Sequence, residues 1–134
     1  MGLRRTFRVL SPRKSRGDTT QRLRRREHTR HQKKAVKRAT LRDCGRRCVY
    51  CAVPLEPETA TLDHVHPLSR GGTSDPGNLV AACRCCNQLK GDLLPLEFFI
   101  RYPWAGANFM RYARAVHRAL KRGARRVVSL AAAA

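Results

Sequence analysis

Two Cys-x-x-Cys pairs, Cys48-Val49-Tyr50-Cys51 and Cys83-Arg84-Cys85-Cys86, stand 31 residues apart in a chain of 134. Four thiolates delivered from two tight knuckles suit the tetrahedral shell of Zn²⁺, and a shared ion would draw residues 48–51 against residues 83–86. The alternative reading is four buried thiols or two redox pairs. A chain this short often lacks an apolar core sufficient on its own, and a metal staple would supply what burial does not. Cys44 and Cys85 are left over, each near enough in sequence to a knuckle to replace one of its ligands.

The formal net charge is +20, and it is unevenly placed. Residues 1–47 carry 18 Lys and Arg against 3 Asp and Glu, residues 48–100 carry 3 against 6, and residues 101–134 carry 8 against none. Such an excess repels itself in any compact state, and most of it is arginine, whose guanidinium binds phosphate bidentately. A polyanionic partner is expected, DNA first, with RNA the other nucleic acid that the chemistry admits. A basic run such as RLRRREHTRHQKKAVKR at 22–38 is by itself usually a solvated arm. No stretch approaches the roughly 18 apolar residues that span a bilayer, and the Arg-rich start lacks the apolar run of a secretory signal. The chain is therefore expected to be cytoplasmic, with its cysteines reduced and free for metal.

Three parts are expected. Residues 1–40 read as a basic, largely flexible arm with helix from about 24 to 42, and residues 41–100 as the compact domain. In residues 101–134, a basic amphipathic helix over 107–122 sets Phe109, Ala113, Val116 and Leu120 on one face, with Gly123 as its stop. His117, beside that stripe, reads as a residue without a catalytic or metal role. In the centre, residues 60–65 and 78–83 read as short strands around a turn-rich loop, PLSRGGTSDPG at 67–77, with a short helix at about 84–90. Asp63 and His64 are neighbours on the first strand and Asn87 lies on the helix. If the knuckles meet, those three residues converge.

CVYC, LDHVHPLSRGGTSDPGNLV and CRCCNQLKGD, in that order, resemble the HNH endonuclease family in its four-cysteine form, over about residues 41–97. The resemblance implies a small α+β fold, a ββα-metal core stapled by a structural zinc on Cys48, Cys51, Cys83 and Cys86. It implies a metal-dependent phosphodiester hydrolase acting on DNA. His64, Asn78 and Asn87 would hold the name-giving positions, with asparagine in place of the last histidine. His64 would be the general base, Asp63 and Asn87 would bind a Mg²⁺-type cation, and Asn78 would hold the loop that carries His64. Arg70, in the SRGG turn, would support the loop or touch nucleic-acid phosphate, and Lys90, in the KG that ends the helix, would touch phosphate, with Gly91 as helix cap.

The residue types suit that chemistry. A neutral imidazole takes a proton from water near pH 7, and a carboxylate with an amide oxygen suits a hard cation that keeps its other positions for water and phosphate. His66 departs from the family pattern, which favours an apolar residue there, and reads as a packing or surface histidine before a phosphate contact or a group supporting the site. Each residue alone has a plainer reading: an ion pair for Asp63, a satisfied core position for His64, a turn or helix cap for Asn78 and Asn87. A zinc-stabilised nucleic-acid-binding module without catalysis is the alternative function, and a basic scaffold of a larger particle is a third. The Asp63–His64 pair, which a binding module does not need, favours the enzyme.

Overall fold

The computed structural model describes residues 16–113 and 118–133. Its contacts divide the chain into two units, Met1–Gln32 and Lys33–Ala134, with the boundary inside one helix. That helix, α1 (Arg16–Asp43), is polar all round, built from Arg, Lys, Gln and Glu that lose little freedom in a helix. Helix was expected from about 24; it begins eight residues earlier, so much of the stretch read as a flexible arm is helical. Burial begins only at its end, with Thr40 and Leu41.

Gly45 ends α1. The Arg46 N–H donates to Leu41 O at 2.9 Å and the Gly45 N–H to Arg42 O at 3.0 Å, the paired bonds of a Schellman motif. The motif requires a left-handed residue, supplied by Gly45 at φ 67°, and Arg46 follows it there at φ 56°.

The sheet is a single antiparallel pair, β1 (Ala60–His64) and β2 (Leu79–Cys83), in register from Ala60↔Cys83 to His64↔Leu79. Both strands fall where the sequence places them. An isolated two-stranded hairpin is marginal in water, so this one needs support. Helix α2 (Arg84–Lys90) leaves β2 directly and packs on both strands. On the other side the Val49 N–H donates to Ala81 O at 3.1 Å, docking the first knuckle against β2.

Tyr50, fully buried, is the centre of the core. Its ring meets Phe98 edge-on at 5.1 Å and stacks with Phe109 at 6.2 Å, while Phe99 closes the cluster at 5.0 Å from Phe109. Those phenylalanines come from α3 (Pro95–Arg101) and α4 (Pro103–Tyr112), and α5 (Arg118–Ala133) adds buried Ala124 and Val127 to the same cluster. The core therefore does not stop at residue 100, because the ring at the knuckle tip needs apolar cover from beyond it.

The single helix expected over 107–122 is not one element. Its first half is the end of α4, with Phe109 and Ala113 buried as expected, but Ala113 leaves helical geometry at φ −80°, ψ 65°. Val116 and His117 lie outside the described residues. Gly123 is no stop, since it sits inside α5. The physical reason is that α4 and α5 pack against each other, which requires the chain to turn between them; a 3.6-residue period carries no sign of such a reversal. No described helix is long and apolar enough to cross a membrane.

Candidate active site and cysteine cluster

The two knuckles meet as expected. The sulfurs of Cys48, Cys51, Cys83 and Cys86 all lie within 4.8 Å of one another, and Cys51 and Cys83 are 3.8 Å apart. Zinc–sulfur bonds of about 2.3 Å in a tetrahedron separate the sulfurs by about 3.8 Å, so the donor set fits. Cys83 has a second task, since its sulfur caps α2 by accepting the Cys86 N–H at 3.3 Å.

Burial pushes the Cys48 thiol up to about 11. Burial and the neighbouring Cys48 push Cys86 up as well. At Cys83 burial acts in the same direction, but bonds from the Cys86 N–H and the nearby thiols outweigh it and hold the group below its ordinary value. Four sulfurs gathered in this way would become thiolates around a cation placed between them. Cys44 and Cys85 stand outside the cluster: the Cys44 sulfur accepts the Ala81 N–H at 3.4 Å, and Cys85 is exposed.

At the far end of β1, Asp63, His64 and Asn87 line one concavity of about 330 Å³ together with Ser69 and Asp92. Neighbouring strand residues point to opposite faces, which separates the two side chains of the Asp63–His64 pair. Asp63 turns inward and is 5 % exposed. Its Oδ2 accepts the Tyr50 hydroxyl at 2.5 Å, and the Lys90 ammonium lies 3.3 Å from Oδ2 and 3.4 Å from Oδ1. Burial lifts the Asp63 carboxyl above its usual range, with Lys90 and then Tyr50 pulling it back. Burial lowers Lys90, against the pull of Asp63. Tyr50 is held well above its ordinary value by burial and then by the adjacent carboxylate.

His64 places Nε2 3.1 Å from the Ser74 hydroxyl. Asn87 is oriented by a short relay. Thr61 Oγ1 donates to Ala82 O at 2.8 Å, so that hydroxyl can only accept from Asn87 Nδ2, at 3.0 Å. The amide nitrogen is thereby fixed toward the sheet, which leaves Oδ1 on the other side.

Asn78 is buried and lies away from the concavity. Its Oδ1 accepts the His66 N–H at 2.8 Å, and its Nδ2 donates to His66 O at 3.0 Å and Thr73 O at 2.7 Å, tying together the two ends of the loop that follows His64. The same loop needs Gly72, where a Cβ would collide with the His66 carbonyl. His66 braces the turn: Arg70 O at 2.7 Å can only accept, so Nε2 carries the hydrogen.

Lys90 requires a correction. Expected to reach phosphate from the surface, it is 1 % exposed, with its ammonium given to Asp63 and, at 2.9 Å, to His64 O. A lysine is almost never this buried unless paired, and the acidic partner that could hold it lies a strand away. Arg70 pairs with Glu97 of α3 at 3.0 Å and is 43 % exposed. Residues missed in the sequence are Tyr50, Ser74 and Asp92, the last accepting from Ser69 Oγ at 3.0 Å beside the concavity. Only Tyr50 left a signal, since a buried phenol must find a polar partner.

The family described as HNH endonuclease matches residues 48–93. A CRISPR-associated endonuclease Cas9 of Corynebacterium diphtheriae is 41 % identical over 46 residues, which are 34 % of this chain and 4 % of that protein. Among solved structures, the Type II-C Cas9 enzyme from Actinomyces naeslundii aligns with a TM-score of 0.47 and 19 % identity, over 84 % of this chain and 14 % of that one. The chain thus spans a small fraction of either relative. Residues 48–93, which hold the paired knuckles, the hairpin and the following helix, match the HNH endonuclease family.

Proposed function

We propose that the chain is a metal-dependent endonuclease that hydrolyses phosphodiester bonds in DNA, with a structural zinc on Cys48, Cys51, Cys83 and Cys86. The observation that carries this reading is that Asp63, His64 and Asn87 line one concavity. The hard oxygens of Asp63 and Asn87 fit a divalent cation such as Mg²⁺, which when bound would neutralise phosphate charge and support the leaving oxygen. His64 is the general base. In the tautomer where Ser74 accepts from Nε2–H, Nδ1 holds the lone pair that takes the proton of the attacking water. Asn78 is a positioning residue, acting through the His66 backbone on the loop that follows the base. Tyr50 and Lys90 keep Asp63 oriented and countercharged before substrate arrives.

Incubation with supercoiled plasmid and Mg²⁺ should give nicked or linear product, and omission of Mg²⁺ should prevent it. His64→Ala should lower the cleavage rate by about 10²- to 10⁴-fold, the usual worth of a general base. Full activity in a folded His64→Ala protein would sink the assignment.

A further inference from the structure

Apart from the catalytic concavity, the compact unit carries a groove of about 480 Å³ lined by Ala35, Arg38, Leu41, Arg42, Arg46 and Pro57. Its three charged walls are all arginine. Arg38 and Arg42 stand four apart on α1 and so share a face. The Schellman turn then carries the chain back, with Arg46 held left-handed at φ 56° and its N–H bonded to Leu41 O, and this returns a third guanidinium to the same hollow. All three side chains are exposed. Among the described residues none has a carboxylate within ion-pair distance, although Glu56 and Glu58 adjoin Pro57 in sequence. Like charges at helical i,i+4 spacing repel, so three guanidiniums around one hollow are stabilised only when an anion joins them.

We infer that this groove is a phosphate-binding subsite for the DNA backbone, separate from the catalytic concavity. Guanidinium forks match phosphate oxygens, and the apolar floor of Leu41 and Pro57 suits a sugar edge better than a second protein charge. Its position sets its role. Pro57 lies in the turn that leads into Ala60, and β1 then runs about 13 Å to His64. A phosphate held here is therefore not the one cleaved; it fixes how the duplex lies across the domain.

The inference rests on the DNA partner proposed above and not on hydrolysis, so its test is binding. The zinc-loaded full chain, without Mg²⁺, is titrated with a short duplex at several salt concentrations. The triple variant Arg38→Gln, Arg42→Gln, Arg46→Gln keeps helix-forming side chains and removes the three charges. Its slope of log affinity against log salt should fall by about 0.9, the worth of the one phosphate the groove holds. A control triple, Arg122→Gln, Arg125→Gln, Arg126→Gln, neutralises exposed arginines of α5 and should change the slope by less than half as much. An unchanged slope in the groove variant, or an equal fall in both, would overturn the groove, while plasmid cleavage by the parent remains the separate test of the nuclease.

Discussion

Lys90 shows what a single residue can hide. Its ammonium is desolvated beside a carboxylate and a carbonyl, and burial works against both charged forms of the Lys90–Asp63 pair. Such a pair adds little net stability, but breaking it leaves an uncompensated buried charge. Lys90→Met should therefore cost about 3–5 kcal/mol in the zinc-loaded protein, read by urea denaturation. Arg70→Ala, which breaks an ion pair that is 43 % and 39 % exposed, should cost no more than about 1 kcal/mol. Equal losses in the two variants would mean that Asp63 is not held by Lys90. The sequence offered Lys90 as a surface cation because a KG helix end looks exposed and its partner stands 27 positions away. Asp63, His64 and Asn87 were legible for the opposite reason, since a hairpin and the helix that follows it fix their relative places within a short stretch of chain.

Among the elements, strands and knuckles were readable and helix ends were not. The alternation of β1 and the turn-rich 67–77 loop are local signals, whereas the break at Ala113 depends on α4 finding α5. Two glycines record that tertiary contact. Gly106 in α4 lets the helices approach: an added Cβ would collide with Val128 Cγ2 of α5 and press on Phe99 of α3 at 3.2 Å. Gly123 in α5 faces open space. Helix propensity alone favours alanine at both sites by up to about 1 kcal/mol. Gly123→Ala should gain about 0.5–1 kcal/mol, whereas overpacking of about 1–3 kcal/mol should reverse the sign at Gly106 and leave Gly106→Ala less stable than the parent. Thermal denaturation of the two variants decides the matter, and a stabilised Gly106→Ala would mean that α3, α4 and α5 are not packed this closely.

At the level of the molecule, the uneven charge and the four cysteines describe one design problem. A chain of net charge +20 must hold a two-stranded hairpin and a few buried aromatics together against its own repulsion. Domains of this size are stable by about 5–15 kcal/mol in total, and structural zinc in small domains binds with about 10–16 kcal/mol, so an ion held by the four cysteines would outweigh the remaining balance. The position of Tyr50 makes the dependence global. It lies between Cys48 and Cys51, and its ring is the hub on which α3 and α4 pack while its hydroxyl holds Asp63. Loss of the knuckle should therefore remove core and concavity together. Cys48→Ser, or chelation of the parent, should abolish cooperative unfolding and the near-ultraviolet dichroism of the Tyr50–Phe98–Phe109 cluster. Readdition of Zn²⁺ should restore both in the parent and not in the variant. A zinc-free Cys48→Ser protein that keeps its aromatic signal and unfolds cooperatively would show that apolar burial alone closes the core, and that the cysteine cluster serves some purpose other than holding the fold.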